Sequence, residues 1–168
     1  VLERIKSSDH IWMILTKRPS RMLEFSKRFP FPKNVWLGTS VTSAGTSRRV
    51  ETLLKVQGGG LFFVSFEPML TYVPEAALDG IQWAIFGGES DQRNVKARPC
   101  NTDWILEALR AAKKKGVKSF VKQLGSDPRY TAAGVDFNSD DGRDNIREHM
   151  HDPNWMIPWN SAHNAAPK

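Results

Sequence analysis

The chain reads as an α/β protein of parallel (βα) repeats, a partial TIM-barrel-like arrangement with an irregular C-terminal tail. Three observations predict this. Five short apolar runs are continuous rather than alternating, the mark of parallel strands buried on both faces. Amphipathic helical patterns lie between them. The runs begin near residues 11, 35, 61, 81 and 117, the spacing that βα units give.

Taken in order, His10 to Thr16 is the first strand and Ser20 to Phe29, with Met22, Leu23, Phe25 and Phe29, the first full helix. Asn34 to Val41 is the second strand, followed by a helix from Ser47 to Val56 carrying Val50, Leu53 and Leu54. Leu61 to Phe66 and Ile81 to Phe86 are the third and fourth strands; Pro74 to Gly80 between them has room for one helical turn. Asn101 to Lys115 is a longer helix. Asn101 or Thr102 caps its start, Gly116 closes it, and Lys113, Lys114 and Lys115 sit where cations complement the helix dipole. Val117 to Val121 is the fifth strand.

A closed eight-unit barrel takes about 250 residues, roughly 31 per unit. The 168 residues here hold about five units, too few to close one. An open doubly wound sheet and the C-terminal part of a larger barrel both satisfy that count. The opening Val1, with Leu2 and Ile5 spaced as at the end of a helix, favours the second. The expectation is a partial (βα) barrel over residues 1–124 and an extension over 125–168, docked on it through Trp155, Met156, Ile157 and Trp159. His10 to Thr16 would then be an uncharged open edge, inviting self-association.

Composition excludes other classes. Apolar residues are 40% and charged residues 25%, an ordinary globular balance. No apolar run approaches the roughly 18 residues of a spanning helix, so no membrane partner is expected. The single Cys100 cannot staple the fold, which suits a reducing, cytoplasmic setting. Charge is uneven. Residues 1–124 carry 20 basic and 11 acidic side chains, a net of +9, whereas residues 125–168 are at −3. A basic body suits a phosphate-bearing partner such as nucleic acid; it is also the ordinary condition of a solvated surface.

In parallel α/β folds ligands bind at the carboxyl ends of the strands. Those ends read Thr16-Lys17-Arg18, Gly38-Thr39-Ser40, Ser65-Phe66-Glu67, Gly87-Gly88-Glu89-Ser90 and Lys122-Gln123. Adjacent parallel strands would gather them round one mouth for a small zwitterionic or phosphorylated ligand. Lys17, Arg18 and Lys122 would meet its anionic groups. Glu67 and Glu89 would meet an amine, a ribose hydroxyl or a cation. Gly87 and Gly88 would let it approach the backbone closely. The alternative is that the two glutamates pair with the lysines and orient loops. Gly58-Gly59-Gly60 precedes a strand and reads as a flexible loop rather than a phosphate cradle. Cys100 reads as a plain buried thiol. His149, His151 and Asp152 lack the spacing of metal ligands, and the calcium-loop likeness from Asp136 to Arg147 fails at its glycine and its last position, so no metal is expected.

Six segments carry a family resemblance: Leu15 to Pro19, Asn34 to Gly38, Val64 to Pro68, Phe86 to Ser90, Ala97-Arg98-Pro99 and Val121-Lys122-Gln123. In this succession the chain resembles a phage-associated protein family of unknown function with a radical-SAM-like barrel. The resemblance implies S-adenosylmethionine at the strand-end mouth and a 4Fe–4S iron–sulfur cluster held by N-terminal cysteines, which this chain does not carry. It brings Arg98 into the candidate ligand-binding set, and likens Gly87-Gly88-Glu89 to the element that meets the methionyl amine in such barrels. Two functions follow as expectations: a fragment that binds S-adenosylmethionine when complete, with unknown substrate and no activity of its own, or a non-enzymatic phage accessory module that binds nucleic acid through its basic body.

Overall fold

The five apolar runs form five strands. The computed structural model describes residues 2–129. Their elements are α1 (Leu2–Lys6), β1 (Trp12–Thr16), α2 (Pro19–Arg28), β2 (Val35–Ser40), a 3-10 turn (Ala44–Thr46) leading to α3 (Arg49–Leu53), β3 (Leu61–Phe66), a second 3-10 turn (Glu75–Leu78), β4 (Trp83–Gly87), β5 (Cys100–Asn101), α4 (Thr102–Lys114), β6 (Lys118–Gln123) and β7 (Pro128–Arg129).

Five strands make one sheet in the order β1-β2-β3-β4-β6, and every neighbouring pair is parallel. Spatial order follows chain order without reversal. A doubly wound sheet reverses at a switch point; this one does not, so that alternative is set aside. The sheet is open, with β1 and β6 at its edges.

Strand alternation sorts the side chains onto two faces. Val35 and Leu37 of β2 pack with Ile5 of α1, Met22 of α2 and Leu53 of α3. Val64, Phe66, Ala84, Phe86 and Val121 pack with Ile105, Ala108, Leu109 and Ala112 of α4. All four helices therefore cover the same face. Phe66 and Phe86, register partners on β3 and β4, stack at 5.1 Å with 15° between their planes. Each such buried ring contributes about 1.5–3 kcal/mol.

The opposite face departs from the sequence expectation. Continuous apolar runs imply cover on both sides, yet Met13 and Leu15 remain 49% and 50% exposed. Among the described residues no helix covers this face; it is a bare wall.

Helix ends follow their caps. Asn101 Oδ1 accepts the Asp103 N–H at 2.9 Å, and Gly116, at φ +69°, ends α4 in a conformation that suits glycine. The Gly58–Gly60 run is tightly bound rather than flexible. Gly59 N–H donates to Phe31 O and Gly60 N–H to Val35 O, and a Cβ at Gly60 would stand 2.0 Å from Lys33 O. The start of the tail is fastened too, since β7 pairs in parallel with β5. The Trp155–Trp159 cluster, the histidines at 149 and 151 and the Asp136–Arg147 likeness lie outside the described residues.

Candidate functional site

The bare face forms a cleft of about 400 Å³. Met13 and Leu15 stand on one side and Phe120 on the other, with Phe63, Trp83 and Ile85 between. At the carboxyl end of the strands it meets a polar trio, Ser65, Glu67 and Lys122. The apolar residues arrive by alternation along the strands, and Glu67 by being the first residue beyond β3.

Hydrogen bonds aim the trio. Ser65 Oγ donates to Glu67 Oε2 at 3.0 Å, and Lys122 Nζ stands 3.4 Å from Glu67 Oε1. Gly87 makes room for the carboxylate, since a Cβ there would lie 2.7 Å from Glu67 Oε1. The Lys122 side chain is 58% exposed. The Glu67 side chain is 17% exposed, so the pair joins a largely covered carboxylate to a solvated lysine.

Glu89 is held differently. It receives Arg98 through Nε at 2.8 Å, Nη2 at 2.7 Å and the Arg98 backbone N–H at 2.9 Å. The Arg98 guanidinium and N–H hold its carboxyl well below the usual carboxylate range, at about 2. Three hydrogen bonds engage both of its oxygens, and it is not among the residues lining the cleft. The loop it begins is pinned further on: Asp91 accepts Lys96 Nζ and the Ala97 N–H, and its own N–H donates to Ser126 Oγ.

The sequence gathered the strand-end residues into one mouth; the structure divides them. Ser65, Glu67 and Lys122 line the cleft. Gly88, Ser90 and Gln123 knit the ends of β4 and β6: Gln123 Nε2 donates to Gly88 O and Ser90 Oγ to Gln123 Oε1, while a Cβ at Gly88 would meet Leu124 O at 2.2 Å. Thr39 is buried, with its hydroxyl donated to Thr16 O, and Thr16 Oγ1 accepts the Arg18 N–H. Ser40 is buried, and its carbonyl accepts Arg49 Nη1. Lys17 and Arg18 are exposed and form no ion pair among the described residues.

Sequence reasoning missed the apolar wall itself, and it placed Gly38 at a strand end without the Phe63 ring that lies against it. Period-two alternation within each run carries that signal: Met13 and Leu15, Phe63 and Ser65, Trp83 and Ile85 are all two apart.

A 4Fe–4S cluster does not fit the residues present. The chain has one cysteine, and burial pushes the Cys100 thiol up to about 11. Among the described residues no three His, Cys, Asp or Glu side chains are grouped to hold a metal. None of the described helices is long and apolar enough to cross a membrane.

One family matches residues 1–152 and is described as "Protein of unknown function (DUF5131)". The chain belongs to the DUF5131 family. The match takes in every strand and helix of the fold and the whole cleft. No curated protein and no solved structure matches the chain. DUF5131 membership carries no activity, so function rests on the site.

Proposed function

We propose that this DUF5131 chain is part of the wall of a radical-SAM-like (βα) barrel and that its cleft binds S-adenosylmethionine at the strand-end mouth. The observation that carries the reading is the Glu67–Lys122 pair at the carboxyl end of a bare apolar wall. The ligand has the same two-part character: a zwitterionic amino-acid head and a flat, weakly polar body. Glu67, oriented by Ser65, takes the amine, and Lys122 takes the carboxylate. The single-file strand order and one-sided helices support the barrel.

Glu67, rather than Glu89, is the amine reader. Glu89 already carries three hydrogen bonds from Arg98, whereas Glu67 has one hydroxyl and a lysine at 3.4 Å. Gly87 serves by leaving space for the Glu67 carboxylate. When bound, S-adenosylmethionine supplies a sulfonium centre for group or radical transfer. The residues here bind and orient it; no radical step is assigned to a chain without cluster ligands.

Isothermal titration of the full chain with S-adenosylmethionine tests this. Saturable binding should weaken at least tenfold in Glu67→Gln and in Lys122→Met and change little in Glu89→Gln. Binding should also persist between 50 and 300 mM salt, since the contacts lie in a cleft. Affinity for DNA or RNA that falls steeply with salt, without S-adenosylmethionine binding, would instead favour the nucleic-acid module suggested by the +9 body.

A further inference from the structure

A second hollow lies at the amino ends of the strands, away from the Glu67–Lys122 pair. It is a groove of about 1040 Å³ between α1, the C-terminal end of α2 and the loop leading into β2, and it shares no lining residue with the cleft. Phe25 and Phe29, one helical turn apart on α2, line it and stay 44% and 49% exposed. Their rings meet at 5.4 Å, and Phe25 rests on the buried Phe31 at 5.6 Å. Exposed apolar side chains gathered on one lining mark a contact surface.

Three exposed cations share that lining: Lys6, Arg28 and Lys33. None of them forms an ion pair among the described residues. The Arg28 guanidinium lies 5.6 Å from the centre of the Phe29 ring. Glu3 is the one carboxylate among the described lining residues, so the groove is positive. Its walls are fastened. Asn34 Nδ2 donates to the carbonyls of Ile5, Ser8 and His10, which ties α1 to the loop. Phe31 N–H donates to Gln57 O, and Phe31 O accepts the Gly59 N–H. A groove fixed in this way has little ordering cost left when it binds.

Aromatic faces beside unpaired cations match a chain of flat bases strung on phosphates. An acidic peptide would use the cations and leave the rings idle, and a duplex keeps its bases stacked on one another. We propose that this groove binds single-stranded nucleic acid, with bases stacked on Phe25 and Phe29 and phosphates met by Lys6, Arg28 and Lys33. The inference goes beyond the S-adenosylmethionine reading and does not rest on it.

Fluorescence anisotropy of the full chain with a labelled oligothymidylate tests it. Binding should be saturable and tighter than that of the matching duplex or of polyglutamate. Phe29→Leu keeps an apolar side chain without the ring and should weaken binding at least fivefold, whereas Phe29→Tyr should stay within twofold. Lys33→Gln should weaken binding and flatten the slope of log affinity against log salt by about 0.7. Its exposed position keeps the test alive if Phe29→Leu fails to fold. Arg110→Gln, on α4 and outside the groove, should change neither affinity nor slope. An oligothymidylate that does not bind, ignores Phe29→Leu or Lys33→Gln, or is matched by polyglutamate or the duplex would overturn the proposal. Displacement by S-adenosylmethionine would overturn it too, by placing the strand in the cleft. A chain that binds no S-adenosylmethionine but behaves as expected here would leave the groove standing.

Discussion

Glu67 and Glu89 follow neighbouring strands at the same end of the sheet, yet their surroundings hold them differently. Arg98 reaches Glu89 with a bidentate fork plus its own backbone N–H, the strongest kind of ion pair a surface offers. Glu67 has one hydroxyl and a lysine at 3.4 Å. Sequence placed both correctly at strand ends. It could not show which was already engaged, because Arg98 approaches from within the loop of residues 88–99, whose path no local pattern fixes. The difference has a pH signature. The folded-state pKa of Glu89 is depressed to about 2 from an ordinary 4.5. Its ion pair therefore stabilises the loop fully above about pH 4.5, and that contribution is lost as pH falls towards about 2. The thermal midpoint of Glu89→Gln should lie below that of the wild type at pH 7, and the gap should close between pH 4.5 and 2. A gap that stays constant across that range would show that the Arg98 clamp is not what holds the loop. Cys100 was legible outright: it is buried, and its raised pKa makes it a poor nucleophile. It should resist iodoacetamide at pH 8 until the chain is unfolded, and rapid alkylation of the native protein would contradict its burial.

Among the elements, α4 was the easiest to read. Its apolar spacing, asparagine cap and closing glycine agree, and the observed helix differs from expectation by a residue at each end. Asn101→Ala removes the side-chain acceptor for the Asp103 N–H and should cost about 1 kcal/mol in urea unfolding; no measurable loss would mean that water replaces the cap. The second helical pattern was harder. Ser47 to Val56 forms only Arg49–Leu53 as α-helix, preceded by a 3-10 turn whose Ser43 and Thr46 close a capping box that the apolar spacing does not register. The five strand runs were found within two residues at every end, but their faces were misjudged. A continuous apolar run looks the same whether its second side meets helices or an open cleft. Strand β1 shows the consequence. It is an edge with Trp12, Met13 and Leu15 each at least 41% exposed and no charge to protect it. The chain should therefore associate in a concentration-dependent way by light scattering, and Trp12→Lys should reduce the association. A wild-type chain that stays monomeric at high concentration would contradict this reading of β1.

For the molecule as a whole, the order of the strands decides what the site can be. Consecutive parallel strands run in chain order, with helices between them and charged side chains at the strand ends. That plan was legible from the rhythm of the sequence. The sorting of residues within it was not, because the segment after β4 ties Ser90 to Gln123 at the end of β6 and Glu89 to Arg98. The central claim is that the bare face, not the helix-covered one, receives S-adenosylmethionine, and the methionines report on both. Met13 lines the cleft, while Met22 and Met69 are buried on the helix side. With the methionine methyls labelled with carbon-13 and assigned by Met→Leu substitution, S-adenosylmethionine should shift the Met13 resonance saturably and leave those of Met22 and Met69 in place. A Met13 resonance unmoved at saturating ligand, or a shift confined to Met22 and Met69, would contradict it.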